Sequence, residues 1–309
     1  MKKQVKKGMA VLCAAAMMFT VAACGKADTG NVTTGGNTEA GGQEQTENNS
    51  AVTESASAVT DEKVSAAEEF TFAEENGELT ITGYTGSANI INVPDSIEGK
   101  PVTAIGEKAF MGMQTITEVI LPDSVLTVKE QAFEGCGNLT ALTLGKNLQT
   151  IEYAAFWRSS VESVELPETL VTIGSDAFCC TNIKEIVIPP LVTEVSGGAF
   201  ALTQLENVTI PGTVKILGNQ AFGDCDNLKT VVIEEGVEVV DEEAFGDCEA
   251  LESISFPASI TQIEGDVVYS GLHSFEGKVQ IYVKEGSVAQ TVLEEYYSDV
   301  AEYYEVIVQ

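Results

Sequence analysis

Histidine is nearly missing from this 309-residue chain. The only one is His273. No histidine cluster and no C-x-x-C pair is present, so neither usual zinc-ligand pattern can be built. There is no G-x-S-x-G elbow, so His273 lacks a nucleophile context and reads as a structural residue. No glycine-rich loop follows a strand and opens a helix, which removes the common phosphate cradle. Basic residues are also scarce: 16 Lys and Arg face 47 Asp and Glu, for a formal net charge of −31. Such a chain repels nucleic acid and anionic lipid. These absences predict no enzyme, no cofactor, no metal and no nucleic-acid partner. The acidic stretch Glu234–Glu252 lacks the oxygen-ligand spacing of calcium loops and reads as a solvated face.

No stretch of the chain is long and apolar enough to span a bilayer comfortably. The beginning is distinctive nonetheless. Residues 1–23 carry a lysine-rich start, then the short apolar run Gly8–Val21. "VAAC" (Val21–Cys24) follows, with Gly25 next. This order resembles a bacterial lipoprotein signal. The resemblance implies cleavage before Cys24 and diacylglycerol on its sulfur. Removing residues 1–23 takes away four lysines and no acids, leaving 12 − 47 = −35. The expectation is a lipid-anchored protein on the outer face of the bacterial cell membrane, touching the bilayer through its anchor alone. Residues 24–67 hold Gly, Thr, Asn, Glu and Ser and no aromatic residue. They read as a disordered tether.

What the rest contains is a repeat. Ala-Phe pairs end at Phe110, Phe133, Phe156, Phe178, Phe200, Phe222 and Phe245, spaced 23, 23, 22, 22, 22 and 23 residues apart. A degenerate copy follows at Val267-Val268. Each period carries L-x-x-[LVI]-x-[LIF], most often followed by Pro, as in "VESVELP" (Val161–Pro167) and "IKEIVIP" (Ile183–Pro189). The alternation before Pro predicts a short strand. A second apolar pair, such as Leu170 and Ile173, precedes the next Ala-Phe.

Apolar columns run through the periods: Ile116 to Leu251, Val119 to Ile254, Leu121 to Phe256, and the phenylalanines. One repeat cannot cover these residues, whereas stacked repeats bury them together. The predicted fold is a mainly β solenoid of about eight coils of 22–23 residues over 68–278. A strand-helix-strand cap is predicted over 279–309, with the helix in Ser287–Tyr297 opened by Ser287 and Gln290 at capping-box spacing.

"LVTIGSDAFCCTNIKEIVIP" (Leu170–Pro189) resembles the BspA-type leucine-rich repeat, and the likeness covers roughly Phe70 to Val308. Gly145 and Glu234 depart from the pattern where it places Pro. The resemblance implies a leucine-rich repeat solenoid associated with adhesion and with binding of host or matrix protein.

Counting back from the next apolar anchor, one column reads Met113, Cys136, Arg158, Cys180, Leu202, Cys225 and Cys248, and predicts buried thiols among soft apolar groups. Cys225 and Cys248 stand one coil apart, within disulfide range, while parallel Cβ vectors oppose the bond.

The candidate binding residues are the outward strand column Thr143, Glu165, Val187, Thr209, Val232 and Ser255 and, interrupting the regular turn column, Trp157 and Arg158, a residue pair enriched at interaction hot spots. A second face is expected along Thr103, Leu126, Thr150, Thr172, Thr193, Ile216, Val239 and Thr261. The function predicted is a monomeric surface protein that binds an extracellular or host protein. The alternative is a carbohydrate or cell-wall module.

Overall fold

The computed structural model describes residues 65–268, 277–298 and 301–309. The signal segment, Cys24, most of the tether and His273 lie outside them. The described residues belong to one compact unit, Ser57–Gln309. It is a β-solenoid of about ten turns, two more than the period count suggests, because the segments at both ends also stack as coils.

At the start, β1 (Phe70–Glu75) and β2 (Glu78–Tyr84) form a hairpin over Asn76-Gly77, both left-handed at φ 54° and 84°. That is the turn an Asn-Gly pair favours. The hairpin closes the apolar end, with the Phe70 ring 5.2 Å from Tyr84 and 6.5 Å from Phe110.

Each coil then presents three sides. The first is the predicted strand, as in Glu118–Ile120 and Ala141–Thr143. The second is a two-residue strand at the second apolar pair, as in Thr127–Val128, Thr150–Ile151 and Thr172–Ile173. These short strands pair in parallel into one unbroken ladder within an eleven-stranded sheet. Its register runs Ala104, Thr127, Thr150, Thr172, Glu194, Ile216, Val239, Gln262. The second face read from sequence is therefore shifted by one residue at Thr103, Leu126, Thr193 and Thr261.

The first side differs from the prediction more. Its ladder is split into a three-stranded sheet ending at Ala141–Thr143 and a five-stranded sheet starting at Asn207–Ile210. "VESVELP" and "IKEIVIP", expected as strands, lie in the gap, with one isolated bridge from Ala141 to Ser163.

The third side is the Ala-Phe turn. Each Phe N–H from Phe110 to Phe222 donates to the Ala carbonyl of the next coil at 2.8–2.9 Å, and Phe245 donates to Val267 at 2.9 Å. Val267-Val268 thus serves as the eighth copy. The phenylalanines are fully buried, and successive rings stack at 4.8–5.6 Å with interplanar angles of 1–12°. Alanine before each Phe keeps the coils close enough for this ladder.

The cap matches its reading. Val279–Val283 and Tyr304–Val308 extend the five-stranded sheet in parallel. The helix α1 spans Val288–Tyr297, with the Ser287 side chain accepting from the Gln290 amide at 3.0 Å. Tyr297 and Tyr304 are buried, their ring centroids 4.5 Å apart, and Tyr297 donates to Asp266 at 2.5 Å. Tyr296 and Tyr303 face outward.

Candidate functional site

The phenylalanine turn sorts the coils into two kinds. Where the next phenylalanine follows after 23 residues, the third position after the turn's own Phe is Met113, Cys136 or Cys225, and Cys248 takes the same place in the coil after Phe245. Where the spacing is 22, it is Ser159, Thr181 or Thr203. All but Met113 are buried. Each of these three hydroxyls donates to its own coil's Phe carbonyl, for example Ser159 to Phe156 at 2.8 Å and Thr181 to Phe178 at 2.8 Å. The cysteine thiols donate to the Phe carbonyl of the preceding coil: Cys136 to Phe110 at 3.2 Å, Cys225 to Phe200 at 3.3 Å and Cys248 to Phe222 at 3.2 Å.

The buried column is thus a row of polar donors. Arg158, Cys180 and Leu202, placed in it from the sequence, sit one residue earlier. There they are left-handed at φ 56°, 59° and 56°, aligned with Gly112 and Gly135. Among the described residues, no disulfide joins Cys136, Cys179, Cys180, Cys225 or Cys248. Burial pushes the Cys136 thiol up to about 11, so it is a poor nucleophile. The hydrogen bond with Cys225, then burial, holds the Cys248 thiol well above its ordinary range. Among the described residues no group of three or more His, Cys, Asp or Glu could hold a metal ion.

On the first side, the predicted column is a true one across both sheets. Ile120 pairs with Thr143, Thr209 with Val232, and Val232 with Ser255. Glu165 and Val187 continue it through the gap, both exposed. Val187 is 83% exposed, the most open of the large apolar side chains among the described residues. The core beneath is slightly less sealed there: Val164 and Ile186 are each 9% exposed, against 0% for Val119.

Trp157 and Arg158 do not join that column. They lie on the Ala-Phe side, flanking Phe156, with the Arg158 guanidinium carbon 4.6 Å from the centre of the Trp157 ring. The candidate surface residues therefore fall on two sides of the solenoid, the strand column on one and the turn pair on the other. Tyr153, which the sequence reading passed over, stands three residues before Phe156 and is 44% exposed. Its place in a turn position occupied elsewhere by Glu107, Glu130 and Asn219 was the available signal. Burial first, then the charges of Asp176, Glu134 and Glu130, raise its pKa.

At the C-terminal end, a cavity of about 230 Å³ is bordered by Glu235, Ser255, Phe256, Pro257, Tyr282 and Lys284. Glu235 is held there by the amides of Ala258 and Ser259 at 2.9 and 3.1 Å, which lower its pKa. It is an anchored carboxylate, unsuited to donating a proton near neutrality.

Six copies of the BspA type Leucine rich repeat region match the sequence, over residues 103–229 and 215–281. The chain belongs to the BspA-type leucine-rich repeat family. Among solved structures, a leucine-rich repeat protein of T. pallidum is 25% identical, with 79% of this chain and 98% of that one covered at a TM-score of 0.48. A leucine rich cell surface protein of Faecalibacterium prausnitzii is 22% identical, with 65% and 72% covered at a TM-score of 0.44. A leucine-rich repeat protein of Bacteroides ovatus is 17% identical, with 78% and 98% covered at a TM-score of 0.36. No curated protein matches the chain. In this BspA-type protein the repeat text accounts for the buried columns. The parted first sheet and the Tyr153–Arg158 turn are where the coils depart from one another.

Proposed function

We propose that this BspA-type protein is a bacterial cell-surface module, anchored through a lipid on Cys24, that binds an extracellular or host protein through the first side of its solenoid. Val187 carries the reading. It is 83% exposed and Val232, two coils on in the same column, 40%, so a column with few charges presents more than one open apolar side chain for a partner to cover. The column Thr143, Glu165, Val187, Thr209, Val232 and Ser255 supplies small and β-branched side chains around it, and a row of positions repeated along a solenoid presents an extended surface. The reading assigns the protein binding and no catalysis. The test is capture of immobilised extracellular matrix proteins by the parent and by a Val187→Asp variant. Equal capture by the two would remove the first side from the reading.

A glycan is the second reading, and the cavity beside Tyr282 favours it, since an aromatic ring beside Ser255, Glu235 and Lys284 offers a stacking face with polar neighbours. Saturable binding on a glycan array, lost in Tyr282→Ala and kept in Val187→Asp, would select it. Anchoring is tested separately: Cys24→Ala should move the protein out of the membrane fraction.

A further inference from the structure

The Ala-Phe side of the solenoid carries a second surface, distinct from the Val187 column. Trp157 is the only tryptophan and Arg158 the only arginine of the chain, and they are adjacent. Arg158 holds a left-handed backbone at φ 56°, where the two preceding coils use Gly112 and Gly135. A bulky residue in that region costs about 1–2 kcal/mol. The conformation sets the guanidinium over the Trp157 ring, 4.6 Å from its centre. The ring face therefore already accommodates one cation.

Tyr153 is the free ring of the same turn. Its carbonyl accepts from the Gln131 amide at 2.9 Å, and the Trp157 carbonyl from the Gly135 amide at 2.7 Å, so the preceding coil lies directly alongside. That coil places Glu130 level with Tyr153 and Glu134 level with Trp157. Glu134 accepts from the Gln131 side chain. Asp176, in the following coil, is the third carboxylate whose charge acts on Tyr153. Glu107 and Glu152 lie on the same side; Glu107 is tied to Lys108 at 2.7 Å, and Glu152 accepts from the Glu130 amide at 3.0 Å. Over four successive turns, those of Phe110, Phe133, Phe156 and Phe178, five carboxylates, of Glu107, Glu130, Glu134, Glu152 and Asp176, exceed the three cations Lys108, Lys129 and Arg158.

We propose that the turn surface formed by Tyr153, Trp157, Glu130, Glu134 and Asp176 binds a lysine- or arginine-bearing polypeptide segment, with a cation seated on the Tyr153 ring between the carboxylates. Charge complementarity selects this occupant. The local excess of carboxylates and the formal net charge of −31 both attract a basic partner and repel an acidic one. The aromatic faces supply the short-range part, and the backbone that carries the rings is hydrogen-bonded to the coils on both sides, so little backbone order is lost on binding.

Because Trp157 is unique, its emission reports this surface and no other. An octalysine peptide is titrated into the full chain at low and at raised salt. The expected result is a saturable change in emission whose apparent Kd weakens as salt rises. A Glu130→Gln/Glu134→Gln/Asp176→Asn variant should bind about tenfold more weakly, three partly exposed pairs being lost. Tyr153→Ala should lose the binding and Tyr153→Phe should keep it, with circular dichroism confirming that each variant is folded. No emission change with octalysine, or equal binding by the triple variant, overturns the proposal. A response to chitohexaose without one to octalysine also overturns it, and assigns the turn to glycan. The outcome is independent of matrix-protein capture through Val187, so either surface can fail alone.

Discussion

The rings of Phe133 and Phe156 lie 5.3 Å apart and within 1° of parallel. They are two links of a stack that runs from Phe110 to Phe245 without a break. Removing one link should be felt by its neighbours, because each coil contacts only the coils beside it. Phe178→Ala is expected to cost about 3–5 kcal/mol. Urea unfolding would show it as a lower midpoint, and as a first transition if the coils on either side uncouple. A loss below about 1 kcal/mol would mean the stack is replaceable packing.

The left-handed positions around Ala-Phe make a second, opposite pair of predictions. Gly135 has φ 67° and its nearest neighbour to an added Cβ is Gly112 Cα at 3.9 Å, so space is available and only backbone strain opposes a side chain. Gly135→Ala should cost about 1 kcal/mol. Leu202, at φ 56° in the equivalent place, should tolerate Gly with no loss of stability. Thermal melts of both variants decide it, and a clear loss in Leu202→Gly would show that its side chain, not its backbone, matters.

The buried hydroxyls of the 22-residue coils should each contribute a modest amount. Thr181 donates to the Phe178 carbonyl at 2.8 Å and is 1% exposed. Thr181→Val keeps the shape and removes the donor, so the expected cost is about 1 kcal/mol. An unchanged denaturation midpoint would show that this bond adds nothing beyond packing.

Asp224 gives a pH dependence. Burial first, then the charges of Asp247, Asp226 and Glu243, raise its pKa above the ordinary 3.8. The folded state therefore holds the proton more tightly than the unfolded one. Ionisation costs stability as pH rises through this range, and the penalty is fully present at neutrality. Asp224→Asn should raise the melting temperature at pH 7, and the advantage should shrink on acidification and vanish below 3.8. Asparagine also suits the left-handed backbone at φ 54°. An advantage that is the same at both ends of the pH range would trace to that backbone preference instead.

Most of the interior was legible before the fold was known. The Ala-Phe period marked the coil-to-coil stacking, and the three apolar columns are buried except at Leu144 and Leu166, which are only partly covered. The cap helix showed itself in Ser287 and Gln290. Three things were not legible, and each has a physical cause. A two-residue strand such as Thr150–Ile151 is too short for alternation to mark it, so the unbroken sheet was invisible and its outward column drifted by one. The left-handed turns hid because most are filled by residues such as Lys108, Gln131 and Arg158, with glycine at only a few. The cysteine column slipped because it was counted from Val161, Ile183 and Leu205, and the missing residue of a short coil lies between those anchors and Phe. Counted from Phe156, Phe178 and Phe200 the same text yields Ser159, Thr181 and Thr203.

That missing residue has a reach beyond its own turn. The first side is laddered where coils of 23 meet, from Glu118 to Ala141 and from Thr230 to Ser253. It parts where coils of 22 meet, through Ser163, Glu185 and Asn207. Duplication or deletion of a whole coil would then do more than change the number of repeats. Copying a long coil would extend a sealed stretch, and copying a short one would widen the opening around Val187. The position of the opening along the solenoid would be inherited as a count of residues per coil, free to shift between lineages while every core residue stays the same.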